Sequence, residues 1–241
     1  KFKNIFIVGL PRSETSLLEQ MLDRHDDIIG LGETGIIQNQ SINFFKNKSS
    51  VFSITDKDIE MDVRKEMEAI SRDVITAYKT KSSDKSFDGY YVDKNPLNFI
   101  DIGFINSLIS SSKFINIMRN SDDNLPSIYF SNFSGAHNYA YTPEEIKLFN
   151  DFYIKIMEFW KEKLHHKIID IKYEDLIRNP ENEITRILKF LNLKYDENCL
   201  LPHENKRSVR TRSKFQIREK INKKGVHKYS NYKKFIPDLF N

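Results

Sequence analysis

Gly9-Leu-Pro-Arg-Ser-Glu-Thr-Ser16 places one guanidinium (Arg12) and three hydroxyls (Ser13, Thr15, Ser16) between an apolar run and a helical pattern. A turn in that setting is an anion site almost by default, because free N–H groups and the positive end of the helix face it. Guanidinium and hydroxyl donors suit phosphate or sulfate oxygens. The plainer alternative is an ordinary capped helix, with Ser13 or Thr15 as the cap and Arg12 in solvent. The loop is not a Walker A sequence: counted from Gly9, Glu14 stands where that motif needs its second glycine and Thr15 where it needs lysine. An ordinary P-loop kinase or ATPase is therefore disfavoured. It stays as an alternative, a nucleotide-dependent phosphotransferase that would prefer ATP and need Mg²⁺.

The elements that must position this loop follow from patterning. Lys3–Leu10 is a short branched and aromatic run stopped by Gly9 and Pro11, the signature of a buried parallel strand. Ser16–Arg24 has helical spacing of Leu17, Leu18, Met21 and Leu22, so strand, turn and helix open a βαβ unit. Asp56–Lys81 keeps a helical period through Ile59, Val63, Met67, Ile70, Val74 and Ala77. Further strands are expected at Tyr90–Asp93, Lys113–Met118 and Lys167–Lys172. Further helices are expected at Phe99–Ser110, Leu125–Phe133 (with Pro126 in its first turn), Pro143–Leu164 and Pro180–Leu191. The alternation predicts an α/β fold: a three-layer parallel sheet with helices on both faces. No repeat or linker interrupts it, so residues 1–241 read as a single domain. The chain begins at Lys1 close to a strand and without Met, so the expectation is a fragment of a longer chain with an N-terminal region missing.

Composition narrows the class. With 39% hydrophobic and 30% charged residues and few glycines and prolines, the chain is neither collagenous nor low-complexity. No apolar run approaches a membrane span. The single cysteine, Cys199, excludes an internal disulfide and a thiolate zinc site, and a cytoplasmic location is expected. No His/Cys/Asp spacing implies a metal. Net charge is only +4, but Lys206–Lys228 holds ten basic residues and one acid, Glu219. That block fits a disordered tail, a nucleic-acid contact or a wall around a multiply charged small anion. Val209, Phe215, Ile217, Ile221 and Val226 give it something to bury, which argues against the tail.

Phe6-Ile-Val-Gly-Leu-Pro-Arg-Ser-x-Thr-Ser-Leu-Leu-Glu-Gln, followed by His25 and Gly32-Glu33, resembles the opening of the sulfotransferases that use 3′-phosphoadenosine 5′-phosphosulfate (PAPS). The resemblance is strongest to bacterial sulfotransferase domains attached to tetratricopeptide repeats, with tyrosylprotein sulfotransferases as relatives. It implies the P-loop-like sulfotransferase fold and in-line transfer of a sulfuryl group from PAPS to a hydroxyl or amine acceptor, a protein tyrosine, sugar or small molecule. It implies no metal and no nucleic acid. In the family the loop is P-R-S-G-T-[ST] and cradles the 5′-phosphosulfate, which assigns Arg12, Ser13, Glu14, Thr15 and Ser16 to the donor. Glu14 replaces the family glycine, and a carboxylate there would repel the donor unless it points away; a degenerate, inactive member is a further reading.

The same resemblance assigns later residues. Arg119 and Ser127, eight apart after the KFINIM strand, match the pair that grips the 3′-phosphate, a charged fork plus a hydroxyl. Lys94 in Asp93-Lys-Asn-Pro96 matches the lysine that stabilises charge on the leaving phosphate, a large catalytic contribution. Glu33 matches the catalytic base of the protein-tyrosine branch; otherwise it is a capping or salt-bridging acid. His25 is a second candidate base; the alternative is a packing or capping residue at the end of the first helix. Tyr173 in the K-Y-E-D-L segment is placed near the adenosine, and Ser213, Gln216 and Lys228 in a late loop closing over the nucleotide. An acceptor pocket would draw on residues 36–46 and 130–141, whose aromatics either stack on a ring or fill a core.

Overall fold

A computed structural model describes residues 2–48, 57–82, 84, 86–133, 135, 137–205, 207 and 219–240. Among these, five strands form one parallel sheet: β1 (Lys3–Val8), β2 (Ile28–Gly30), β3 (Tyr90–Lys94), β4 (Lys113–Met118) and β5 (Ile168–Lys172). Their order is β2-β3-β1-β4-β5. Ile7 is in register with Lys94, and Met118 with Lys172, so the strands finish along one edge.

Alternation along β1 divides the core in two. Ile5 and Ile7 point to a face covered by α1 (Thr15–Leu22), α7 (Tyr173–Arg178) and α8 (Pro180–Leu191), meeting Leu18, Met21, Ile184 and Leu188. Phe6 and Val8 point to the other face. There they join Val74 and Tyr78 of α3 (Lys57–Lys81), Ile102 and Ile105 of α4 (Ile102–Leu108), Leu125 of α5 (Ser121–Tyr129) and Tyr153 of α6 (Pro143–Leu164). A strand buried on both sides reads as the unbroken apolar run seen at β1. Each large apolar side chain so buried contributes roughly 1.5–3 kcal/mol. The α/β three-layer architecture is thus present, with helices on both faces.

Several boundaries differ from expectation. The strand β2 and the helix α2 (Ile36–Lys48) were not anticipated: three residues are too few to show a period, and α2 carries only a weak apolar stripe. The helix expected over Phe99–Ser110 is a 3₁₀ turn at Pro96–Phe99 followed by α4. The helix expected from Leu125 begins at Ser121, because the Asn120 side chain accepts from Asp122 N and two acids fill the first turn. Pro126 therefore lies inside α5 rather than in its first turn.

Candidate functional site

The loop after β1 is tightly confined. A Cβ on Gly9 would come within 2.4 Å of Ile117 O, so the chain leaves β1 against β4 only with glycine there. Arg12 and Glu14 both have positive φ, at 67° and 70°. For a residue with a side chain that conformation costs about 1–2 kcal/mol. Glu14 is the N-cap of α1 and makes no side-chain cap bond, so neither Ser13 nor Thr15 caps the helix. All three loop hydroxyls are buried, and Ser13 Oγ has no partner among the described residues.

The connections explain where these groups converge. From β1 the chain passes to β2 on one side, and from β4 to β5 on the other, so β1 and β4 flank the point where the winding reverses. In open parallel sheets the crevice beyond the strand ends opens at that point. Arg12 follows β1, Arg119 follows β4, and Arg119 Nη1 donates to Arg12 O at 2.9 Å. Arg12 Nε donates to Ser127 Oγ at 3.3 Å. Arg119 Nη2 donates to Gly225 O at 2.6 Å, its guanidinium lies 5.3 Å from the Tyr173 ring centre, and its buried Nε has no hydrogen-bond partner among the described residues. Burial pushes the Tyr173 phenol up to about 12, Glu14 adding to the shift and Arg119 opposing it.

These side chains line a cavity of about 110 Å³, which residues 219–222, Lys224, Gly225, Lys228 and Tyr229 complete. That is room for several water-sized groups at about 10–15 Å³ each. Its lining holds five cations, Arg12, Arg119, Lys220, Lys224 and Lys228, against Glu14 and Glu219. The expected donor residues Arg12, Glu14, Arg119, Ser127, Tyr173 and Lys228 are therefore brought together, whereas Ser13, Thr15 and Ser16 are not part of this lining. Ser213 and Gln216 lie outside the described residues.

Lys94 and Glu33 form a second centre at the ends of β3 and β2. Leu31 N donates to Val92 O and Lys94 N to Gly32 O, which zips the Glu33 loop along β3. Lys94 Nζ donates to Glu33 Oε1 at 2.5 Å; the lysine is fully buried and the carboxylate half exposed. Asp93 pins the same loop, accepting from Thr34 Oγ1 and from Tyr78 OH. His25 is buried: Nδ1 accepts from Asp27 N, and Nε2 lies 3.0 Å from Lys194 O.

Three acids that the sequence did not single out hold these parts in place. Glu19, fully buried on α1, accepts from Gly32 N and from Arg207 Nη2, while Asp23 accepts from Gly30 N and Arg207 Nε. Burial raises the Glu19 pKa, with Arg207 and then Lys94 opposing. Asp123 on α5 accepts from His227 N and Tyr229 N, fastening the late loop over the cavity. A helical carboxylate carries no local sign of a partner more than a hundred residues away. The segment 219–229 packs against the body through Ile221 and Val226, two of the five apolar residues expected to bury; Val209, Phe215 and Ile217 lie outside the described residues. Phe130 is half exposed and stacks 5.8 Å from Tyr229, while Tyr139 and Phe133 pack against the core. No helix among the described residues is long and apolar enough to cross a membrane.

Comparison with known proteins places this geometry in context. The sequence model of a family described as "Sulfotransferase family" matches residues 4–197. A putative protein-tyrosine sulfotransferase of Caenorhabditis briggsae is 29% identical over 205 residues, covering 83% of this chain and 69% of that protein. A protein of Aquifex aeolicus (strain VF5) is 29% identical over 241 residues, 96% of this chain; the chain spans 31% of that relative's length. Among solved structures, the sulfotransferase domain from the Synechococcus PCC 7002 olefin synthase aligns with a TM-score of 0.65 at 20% identity, covering 95% of this chain and 88% of that one. A mouse sulfotransferase complexed with PAP aligns at 0.54 and 17% identity, covering 98% and 82%.

Proposed function

This chain belongs to the sulfotransferase family, and we propose that it transfers a sulfuryl group from PAPS to a hydroxyl or amine acceptor, with PAP as the leaving product. The observation that carries the reading is the meeting of Arg12, Arg119 and Ser127 in one cationic cavity where β1 and β4 part. The residues fit a donor with phosphate at both ends of its ribose: a surplus of cations lines the cavity, and the buried Nε of Arg119 lacks a partner among the described residues.

Each side chain then has a task. Arg119 and Ser127 hold the 3′-phosphate, the loop from Arg12 to Ser16 holds the 5′-phosphosulfate, Tyr173 floors the nucleotide, and Lys228 closes the rim. The donor supplies a sulfuryl group already activated by its bond to phosphate. Glu33 accepts the acceptor's proton as its oxygen or nitrogen bonds to sulfur. Lys94 turns its ammonium to the phosphate oxygen whose bond to sulfur breaks, a preorganised charge of the kind worth about 10²–10³ in rate. Both residues partner one another at present, so substrate must separate them.

Calorimetric titration with PAP at neutral pH and low salt tests this, with binding expected. Arg119→Ala is expected to weaken PAP far more than AMP, which lacks the 3′-phosphate. Absence of PAP binding overturns the assignment.

A further inference from the structure

Glu14 breaks two defaults at once. Its backbone is left-handed, at φ 70° and ψ 30°, and its carboxylate is nine-tenths buried in a cavity otherwise rich in cations. Strain retained at a site is a reason to look for a function there. Oε1 of Glu14 lies 3.6 Å from Nη1 of Arg119, whose side chain is only 2% exposed. The carbonyls of Arg12 and Gly225 give that guanidinium hydrogen bonds but no net negative charge. A buried guanidinium needs a counter-charge as well as acceptors, and Glu14 is the carboxylate that pairs with it.

We propose that Glu14 is an internal counter-anion of this cavity: its carboxylate and a nucleotide's phosphate are alternative partners of Arg119, so a ligand enters by displacing Glu14. The inference rests on the reading of the cavity as a nucleotide-phosphate site. It makes Glu14 a determinant of specificity, because a ligand must offer Arg119 more negative charge than the carboxylate already there. A ligand without the 3′-phosphate leaves the Glu14–Arg119 pair intact and gains nothing from its removal.

Removing the carboxylate therefore has two effects of opposite sign. Arg119 loses its counter-charge, which lowers the stability of the protein by itself. The competitor for Arg119 disappears, which raises affinity for a 3′-phosphorylated ligand. A purely structural acid produces the first effect without the second.

The test compares the wild type with Glu14→Gln and with Glu14→Gly, the latter accepting the left-handed backbone without strain. PAP and AMP are titrated by calorimetry, and melting is followed without ligand. PAP is expected to bind about tenfold more tightly to both variants, within the usual range of linkage between sites. AMP affinity is expected to stay constant, and Glu14→Gln to melt at a lower temperature. Should Glu14→Gln fail to fold, Glu14→Gly carries the measurement. PAP affinity unchanged or weakened in the variants overturns the proposal while leaving the nucleotide site standing. An equal gain for PAP and AMP also overturns it, since that marks general repulsion rather than competition for Arg119. No PAP binding by any of the three proteins overturns the nucleotide site and this proposal together.

Discussion

Asp93 has no access to water, accepts two hydroxyl hydrogen bonds on Oδ2, and has no partner among the described residues on Oδ1. Burial outweighs those bonds and raises its pKa from 3.8 to about 6, with Glu19 adding to the shift and Lys94 opposing it. Desolvation disfavours the ionised form, so the folded protein holds this proton more tightly than the unfolded chain. The contribution to stability is complete below about pH 3.8 and is lost as pH rises through about 6. The interval corresponds to about 3 kcal/mol. Asp93→Asn keeps an acceptor for Thr34 and Tyr78 but has no charge to bury. Its stability relative to wild type, from urea midpoints, is expected to be lowest near pH 4, to climb until about pH 6, and then to level. A difference that stays constant across that range would show that Asp93 titrates alike in the folded and unfolded chain. The position bears on the proposed reaction because Thr34, held by Asp93, directly follows the proposed base Glu33.

At the level of elements, α5 and the late loop act as one clamp. Asp123 accepts two backbone N–H groups of the loop that carries Lys228, while Ser127 on the same helix meets Arg12 and lies 3.5 Å from the Tyr229 hydroxyl. Asp123→Ala strands both N–H groups, each costing about 1–3 kcal/mol if it stays buried. PAP affinity is expected to fall about tenfold or more, and limited proteolysis between residues 219 and 229 to accelerate. Unchanged affinity would mean that the loop is held by its apolar contacts alone. The residues of this clamp divide by how far apart their partners stand. The sequence pattern predicts β4, α6 and α8 with their observed bounds, because apolar period and a leading proline are local signals. The pairing of Arg119 with Ser127 is implied by the family resemblance, and both side chains meet Arg12 in the structure. Asp123 to Tyr229 and Glu19 to Arg207 span 106 and 188 residues, and no window of sequence contains both members of either pair. The short β2 fails differently: its three residues gain strand geometry by pairing with β3, not from any period of their own.

Across the whole molecule, parallel strands ending on one edge set the candidate site residues out in spatial order: Glu33 after β2, Lys94 ending β3, the Arg12 loop after β1, Arg119 after β4 and Tyr173 after β5. The cations around this row are of two kinds. Arg119 is buried in the floor, whereas Lys220, Lys224 and Lys228 stand exposed on the rim. Salt screens exposed charges far more than buried ones, over a length that shrinks from about 30 Å at 0.01 M to about 8 Å at 0.15 M. The rim should therefore carry most of the salt dependence of nucleotide binding and the floor most of its affinity. Titrating PAP across that range is expected to weaken binding several-fold in the wild type. In Lys228→Ala the loss on adding salt is expected to shrink, with a modest change in affinity at high salt. In Arg119→Ala affinity falls at every salt concentration and the dependence on salt persists. A long polyanion such as heparin meets only the rim, so it should displace PAP weakly and only at low salt. If heparin competes fully at 0.15 M salt and Arg119→Ala leaves PAP binding intact, the basic face is a general polyanion surface and the enclosed floor takes no part in selecting the ligand.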